Sequence, residues 1–493
     1  MRTIFIAAIA ICFGACGGGS DDTPANSGGG GATAGPDNGS NGPSGPSGSG
    51  GAPATGGKDA GGGGAAGGFN PPYPRIASYR IGGTQHYEAA FQEWAAKQAV
   101  VIIGGDWEGW PNGGARLREN VVQGIKSRST IGTKVLQYAI CDNIDYTNAT
   151  GLGPTWRAQV DTNNWYLYAN GAGGTHEINF FKSTFWQTNS TDAVGADSHG
   201  RKLEDAFAVY ADATYRTNKS PNAAPSLDGH FHDNVLFQPR TDGDFDRNGT
   251  TDTAKSAGPA WRKGLRRYFD ELAKIDPNVI RFANLDNMQI IGITDPTDTA
   301  SAAPLDGILH GALLEGMMGP TWATETWAGW AKAMDEYRFR MNISIGPKLG
   351  VAGHIGLTQQ GTDPTSSAPY RAMRYGIASV LLHDGYYAYS PEGYPDNVLY
   401  SFDELGGNAG GPPVGYLGYP TQPPPTAAWQ NGVWRRDFDH GIALVNPKGN
   451  GQKTVTLGGT FKHLTGAQNP SLNDGSSVTT VTLEDRDGII LLR

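Results

Sequence analysis

From residue 69 onward, short apolar runs alternate with stretches in which apolar residues recur every three or four positions. The first pattern marks buried strands and the second amphipathic helices, and their alternation is the signature of repeated βα units. Eight runs read as strands: residues 76–81, 99–103, 134–140, 229–235, 279–282, 307–314, 339–345 and 377–382. Between them, Trp261, Leu265, Tyr268, Phe269 and Leu272 fall on one helical face, and residues 86–98 and 115–127 read the same way. Eight strands with intervening helices predict a closed (β/α)8 TIM barrel. An open doubly wound sheet is the alternative, and no Gly-rich phosphate-binding turn follows the first strand to support it.

Two stretches break the regular alternation. Residues 143–226 are too long for a plain βα connection and contain helical pieces around 156–168 and 202–215. Insertions of this kind at the C-terminal face of a barrel shape a substrate cleft. After about residue 411, Pro412, Pro413, Pro420 and the run 423–425 interrupt the chain. Short strands at 441–445, 454–457, 478–483 and 489–492 then predict a small antiparallel β-sandwich. The expected domains are a barrel over 69–411 and a β-domain over 412–493.

Composition changes the picture at the other end. Arg2 precedes an apolar run over 3–13, and small residues Gly14 and Ala15 stand directly before Cys16. The run is short of the ~20 apolar residues of a spanning helix, so 1–15 reads as a signal peptide. Its small-small-Cys ending resembles the lipobox of bacterial lipoproteins, with Phe13 where Leu is usual. That resemblance implies a lipid on Cys16 and a place in the bacterial cell envelope; secretion with cleavage near Ala15 is the alternative. Residues 16–68 are nearly all Gly, Ser, Pro, Ala, Asn and Thr, the composition of a disordered tether.

Of three cysteines, Cys12 leaves with the signal and Cys16 is acylated, so Cys141 alone remains and no disulfide framework exists. The net charge of -9 argues against nucleic acid, whose binding draws on clustered Lys and Arg. A neutral substrate and a monomeric chain are expected.

Catalytic groups of such barrels project from the C-terminal ends of strands. Acids stand at several of these ends: Asp106 after the second, Asp142 after the third, Asp233 on the fourth, Asp286 after the fifth and Glu315 on the sixth. Glycoside hydrolysis needs two carboxyl groups, and Asp233 with Glu315 is the pair chosen, with Asp286 as substitute. For any one of them a helix cap or solvated turn is the plain alternative. His230, His232, His310 and His383 offer a rival, metal-dependent hydrolase. Side chains alternate along a strand, so His230 and His232 share one face while Phe231 and Asp233 share the other. Asp244, Asp246, Asn248 and Asp252 have the spacing of a calcium loop, with Lys255 where the twelfth-position acid belongs. A two-carboxylate mechanism requires no cofactor, so calcium would be structural. Trp107 and Trp110, then Tyr386, Tyr387 and Tyr389, are candidate sugar-stacking aromatics at the rim.

Three segments carry a family resemblance: 75–83, the Asp-Gly-x-x-x-Asp-Asn of 228–234, and the Leu-Glu-Gly of 314–316. They resemble the hypothetical glycoside hydrolase-like barrel proteins, sometimes labelled family 15. The tail segments 434–438, 441–447 and 486–491 are similar to the β-domain that follows many glycosidase barrels. The resemblance implies a barrel with an Asp on strand four and a Glu on strand six, matching Asp233 and Glu315. It implies no substrate. The expected function is an exported glycoside hydrolase of poly- or oligosaccharides; the alternative is a non-catalytic, surface glycan-binding lipoprotein.

Overall fold

The computed structural model describes residues 68–80, 84–104, 114–147, 154–179, 183–216, 227–285, 305–319, 322–356, 367–391, 399 and 401–493. The leader and tether with Cys16, together with Asp106, Trp107, Trp110 and Asp286, lie outside the described residues.

Eight parallel strands form one sheet in sequential order: β1 (Ala77–Arg80), β2 (Val100–Ile103), β3 (Lys134–Ala139), β4 (Gly229–Val235), β5 (Ile280–Leu285), β6 (Gly311–Met318), β7 (Val351–Gly356) and β8 (Tyr386–Pro391). The sheet closes where Ile76 bridges Tyr387 and the Tyr387 amide donates to the Arg75 carbonyl at 2.9 Å. The barrel expected from the apolar pattern is therefore present. Inside it, Leu136, Phe231, Phe282, Leu313 and Val351 form one apolar cluster with Val100, Ile102 and Tyr386. This is the packed interior of such barrels rather than a channel.

Helices α1 (Ala89–Ala95), α2 (Gly114–Arg128), α3 (Pro154–Asn163), α4 (Leu203–Ala211), α5 (Ala254–Ile275), α6 (Thr324–Ala328), α7 (Trp330–Ile343) and α8 (Ser367–Leu381) accompany the strands. Helix α5 opens with Thr253, whose hydroxyl accepts the Ser256 amide at 3.1 Å as an N-cap. It buries Trp261, Leu265, Tyr268, Phe269 and Leu272, the stripe read from the sequence.

Two predicted strands are corrected. Residues 339–345 span the end of α7, and 377–382 lie almost wholly in α8. The seventh and eighth strands are instead Val351–Gly356 and Tyr386–Pro391. Helix α8 is covered on two sides, by the barrel and by the C-terminal sheet, so its residues from Tyr375 to Leu382 are almost uniformly buried and lose the amphipathic period. A short apolar run of that kind cannot be told from a strand by period alone.

The insertion between β3 and β4 contributes a two-stranded ribbon, Asn143–Asp145 against Phe185–Gln187, then α3 and α4. Helix α4 packs beside α5 on the outside of the barrel.

Five antiparallel strands follow: β9 (Trp434–Phe438), β10 (Gly441–Asn446), β11 (Lys453–His463), β12 (Ser477–Leu483) and β13 (Asp487–Leu492), in the order β9-β10-β13-β11-β12. On β10, Ala443 and Val445 join the cluster around α8, while Ile442 and Leu444 join Val455, Leu457, Phe461, Val481 and Leu483 in a second cluster. Strand β13 approaches α8 closely: a side chain at Gly488 would meet the Ala378 methyl at 2.7 Å.

Three ion pairs fasten this unit to the barrel: Arg374 with Asp487, Arg436 with Asp384, and Arg486 with Glu325. The last is bidentate, both bonds at 3.0 Å, and its carboxylate is buried. Removing one partner of such a pair leaves a charge stranded away from water. Arg486→Met is expected to destabilise the chain by about 3 to 5 kcal/mol in urea unfolding, and the double variant with Glu325→Gln by clearly less.

Candidate active site

The period of two along the barrel strands builds the site. Phe231 of β4, Phe282 of β5 and Leu313 of β6 point into the apolar interior. Two residues further on, the same inward positions carry Asp233, Asn284 and Glu315. On β3 and β1 the equivalent step leads from Leu136 to Tyr138 and from Ala77 to Tyr79. Where the apolar layer ends, a polar layer begins.

One amide joins the two predicted acids. Asn284 Nδ2 donates to Asp233 Oδ1 at 2.9 Å and to Glu315 Oε2 at 2.8 Å. The two oxygens can be no farther apart than the sum of these distances, which is under about 6 Å. Asp233 Oδ2 accepts the hydroxyls of Tyr138 at 2.8 Å and Tyr79 at 3.4 Å, and Oδ1 also accepts the Asn234 amide at 2.9 Å. All of these partners donate, so Asp233 meets them as an acceptor. Asn234 has a φ of 51°, and the pairing of β4 with β5 shifts register between His232 and Val235. That bulge ends the regular strand at the rim.

Electrostatics separate the acids. Burial, and then the charge of Asp233, push the Glu315 carboxyl up to about 7, with Asn284 and Arg240 opposing. Burial pushes both tyrosine hydroxyls well above their ordinary value, with Asp233 next in effect, so each keeps its proton to donate. Asp142, just past β3, is buried on the same rim and accepts Asn234 Nδ2 at 3.1 Å and Asn179 Nδ2 at 3.4 Å. Burial and Asp233 push it up to about 6. Close packing continues on β7, where a side chain at Gly353 would meet the Glu315 carbonyl at 2.3 Å.

Asp233, Glu315 and Asp142 are thus brought together. Tyr386 is not: it is the first residue of β8, at the opposite end of the barrel from the rim, buried and stacked on Phe69. Its placement at the rim followed from assigning the eighth strand to what is α8. Tyr387 and Tyr389 belong to the same strand, and both pack on His354. Tyr79 and Tyr138 escaped the sequence reading; the signal for them is the inward position two residues beyond Ala77 and Leu136.

The histidines disperse. His230 faces Asp212 outside the barrel, with Nε2 3.4 Å from its carboxylate, and His310 accepts the Arg281 amide. Burial pushes His310 and His383 down to about 4. No ligand cluster among the described residues contains two of the four. In the loop after β4, Asp244, Asp246 and Asp252 each bring one oxygen within 4.8 Å of the others. Asn248 stands among them, its amide donating to Asp244 and Asp246 and its side chain to Asp246.

Comparison with known proteins finds no matching family model and no matching curated protein. Solved structures of similar fold include the glycoside hydrolase domain of PelA from Pseudomonas aeruginosa, at 12% identity over 66% of this chain and 97% of that one, with a TM-score of 0.36. A debranching enzyme of Nostoc punctiforme aligns at 11% identity over 83% and 88%, with a TM-score of 0.40. The cycloalternan-degrading enzyme of Trueperella pyogenes aligns at 11% over 86% and 62%, with a TM-score of 0.44. Likeness at this level assigns neither family nor substrate.

The raised Glu315 carboxyl has a consequence for stability. At low pH both folded and unfolded chains hold its proton; as pH rises above the ordinary 4.5, the unfolded chain releases it while the folded chain does not. The unfolded state then binds fewer protons, so stability falls with rising pH until about 7 and is level beyond. Asp142 adds a loss of the same sign up to about 6. Glu315→Gln is expected to flatten this decline, gaining on the order of 3 kcal/mol relative to the parent chain between acidic and mildly alkaline buffer in chemical unfolding.

Proposed function

We propose that this chain is a glycoside hydrolase that acts with retention of configuration, with Glu315 as acid/base and Asp233 as nucleophile. The observation that carries the reading is the single Asn284 amide shared by both carboxyls. It keeps them nearer to the ~5 to 5.5 Å of retaining pairs than to the ~6.5 to 9.5 Å that leaves room for a water in inverting ones.

Roles follow from environment. An acid of about 7 still holds its proton near neutrality, so Glu315 protonates the departing glycosidic oxygen as the bond to the anomeric carbon breaks. Asp233, aimed by Tyr138, Tyr79, Asn284 and the Asn234 amide, closes on that carbon to form a glycosyl ester. Glu315, now a carboxylate, takes a proton from water as its oxygen attacks the same carbon and releases Asp233. Asp142 stands buried beside the nucleophile, bonded to Asn179 and Asn234.

The same reading includes export and tethering through Cys16, and a poly- or oligosaccharide met at the cell envelope. It also includes a structural calcium held by Asp244, Asp246, Asn248 and Asp252, oxygen donors of the kind that cation takes.

Reducing-sugar release by the full chain across a polysaccharide panel tests the activity. Glu315→Gln is expected to lower kcat by about 10²- to 10⁴-fold and Asp233→Asn by at least as much, with folding intact. The parent rate should fall as pH rises through about 7, and the first product should carry the anomeric configuration of the substrate. Inverted product would overturn the nucleophile; saturable binding without release would point to a glycan-binding protein. For the calcium loop, added calcium should raise the melting temperature of the parent chain and leave that of Asp246→Ala unmoved.

A further inference from the structure

Behind the acid layer, on the outer face of β4, three fully buried side chains from three elements meet: His232, Cys141 just past β3, and Glu204 of α4. Their free ends form a tight triangle. Cys141 Sγ lies 3.0 Å from Glu204 Oε2 and 3.4 Å from His232 Nε2, and that oxygen and nitrogen are 3.8 Å apart. The circle through three points at these separations has a radius of about 2.0 Å, so an ion slightly off their plane stands ~2.0 to 2.3 Å from each, the range of zinc bonds to imidazole, carboxylate and thiolate. The far ends of two ligands are fixed as well. His232 Nδ1 lies 2.6 Å from the Asp233 carbonyl oxygen, and Glu204 Oε1 accepts the Ser190 hydroxyl at 2.6 Å. Outer contacts of this kind aim an imidazole and a carboxylate at a metal.

Two further observations point to a cation. Among the described residues no lysine or arginine pairs with the buried Glu204 carboxyl, whose contacts are Cys141, Ser190 and His232. Tyr268 of α5 is equally buried, its ring edge-on to that of His232 at 4.5 Å between centroids, and its hydroxyl has no hydrogen-bond partner among the described residues. Burial pushes that hydroxyl well above its ordinary value, with Cys141 and then Glu204 next in effect, so it faces the trio. We propose that Cys141, Glu204 and His232 bind one structural zinc ion, with the Tyr268 hydroxyl beside its fourth position. Mixed sulfur, nitrogen and oxygen donors suit zinc, whereas calcium and magnesium take oxygen. As the zinc–sulfur bond forms, the thiol proton passes to solvent. Zinc(II), one thiolate, one carboxylate and a neutral imidazole then sum to zero charge, which suits a site shut off from water. The ion ties the end of β3, the outer face of β4 and helix α4 of the insertion together, on the side of the barrel wall away from Asp233 and Glu315. It takes no part in bond cleavage and does not depend on the activity proposed above.

Elemental analysis of the full chain, refolded from urea with zinc chloride and dialysed, should find one equivalent of zinc. Cys141→Ser and Glu204→Gln should each lose it while remaining folded. Asp246→Ala, in the loop after β4, should retain it, which separates this ion from one held by the oxygen donors there. A Cys12→Ser/Cys16→Ser chain leaves Cys141 as its one thiol. Loaded with cobalt chloride, that chain should show the visible bands of a tetrahedral ion and near-ultraviolet charge transfer from a thiolate, and this spectrum decides the matter if the ligand variants fail to fold. A zinc-selective chelator present during refolding should lower the melting temperature of the parent chain by several degrees and leave that of Cys141→Ser unmoved. No bound zinc in the parent, a cobalt spectrum without the thiolate band, or zinc fully retained in folded Cys141→Ser would each overturn the site. No readout involves a glycan, so failure of the zinc site and failure of the proposed activity are told apart.

Discussion

Closing a parallel sheet into a barrel forces every second side chain inward, and the rest of this structure depends on that constraint. The interior is too narrow for anything but a packed apolar layer, here Leu136, Phe231, Phe282 and Leu313. The next inward step on the same strands is where the polar layer begins. Asp233, Asn284 and Glu315 occupy it, over a floor in which the Tyr79 and Tyr138 rings lie 5.2 and 6.0 Å from Phe231. Three polar side chains thus stand at neighbouring strand ends and are tied to one another by the Asn284 amide. Placing reactive groups on strands in this way holds them more tightly than loops can.

Two carboxyls this close would repel if both were ionised in a partly dry pocket, and the chain resolves the conflict with an amide between them. Asn284 offers two hydrogens on one nitrogen, one for each acid, and adds no charge. A carboxylate at that position would bring a third negative group, and an aliphatic residue would leave both acids short of a donor. The two acids thus stand in unequal settings, Asp233 among donors and Glu315 pushed up to about 7 by burial and by Asp233. Such an inequality is what lets two chemically similar groups take opposite roles.

Much of this was legible in the sequence. Six of the eight barrel strands, the α5 stripe and the antiparallel tail follow from apolar period, and Asp233 with Glu315 follows from acids near strand ends. Strands β7 and β8 were not legible because Val351–Gly356 and Tyr386–Pro391 are rich in Gly, His and Tyr, while residues 339–345 and 377–382 nearby carry the apolar runs. The second half of α8 is buried on every side because the C-terminal sheet covers its outer face, and that packing is a tertiary fact no local window contains. The same error displaced Tyr386 from the bottom of the barrel to its rim. Asn284 stood at a predicted strand end, yet its role as a bridge depends on the register of three strands.

The long insertion then acquires a structural reason beyond shaping a cleft. Its ribbon brings Asn179 and Gln187 to Asp142, one donating to the carboxylate and the other to the carbonyl, while its helix α4 brings Glu204 to His232. The first set grips the rim at β3 and the second braces β4 from behind, and β3 and β4 are the two neighbours whose ends carry Asp142 and Asp233. A bulge that breaks the β4 ladder at Asp233 loses backbone pairing at the point that carries this acid. Side chains of the insertion stand against both strand ends there, which couples the folding of the insertion to the geometry of the acid layer. Loosening α4 would accordingly be felt at the mouth of the barrel before it was felt in its core.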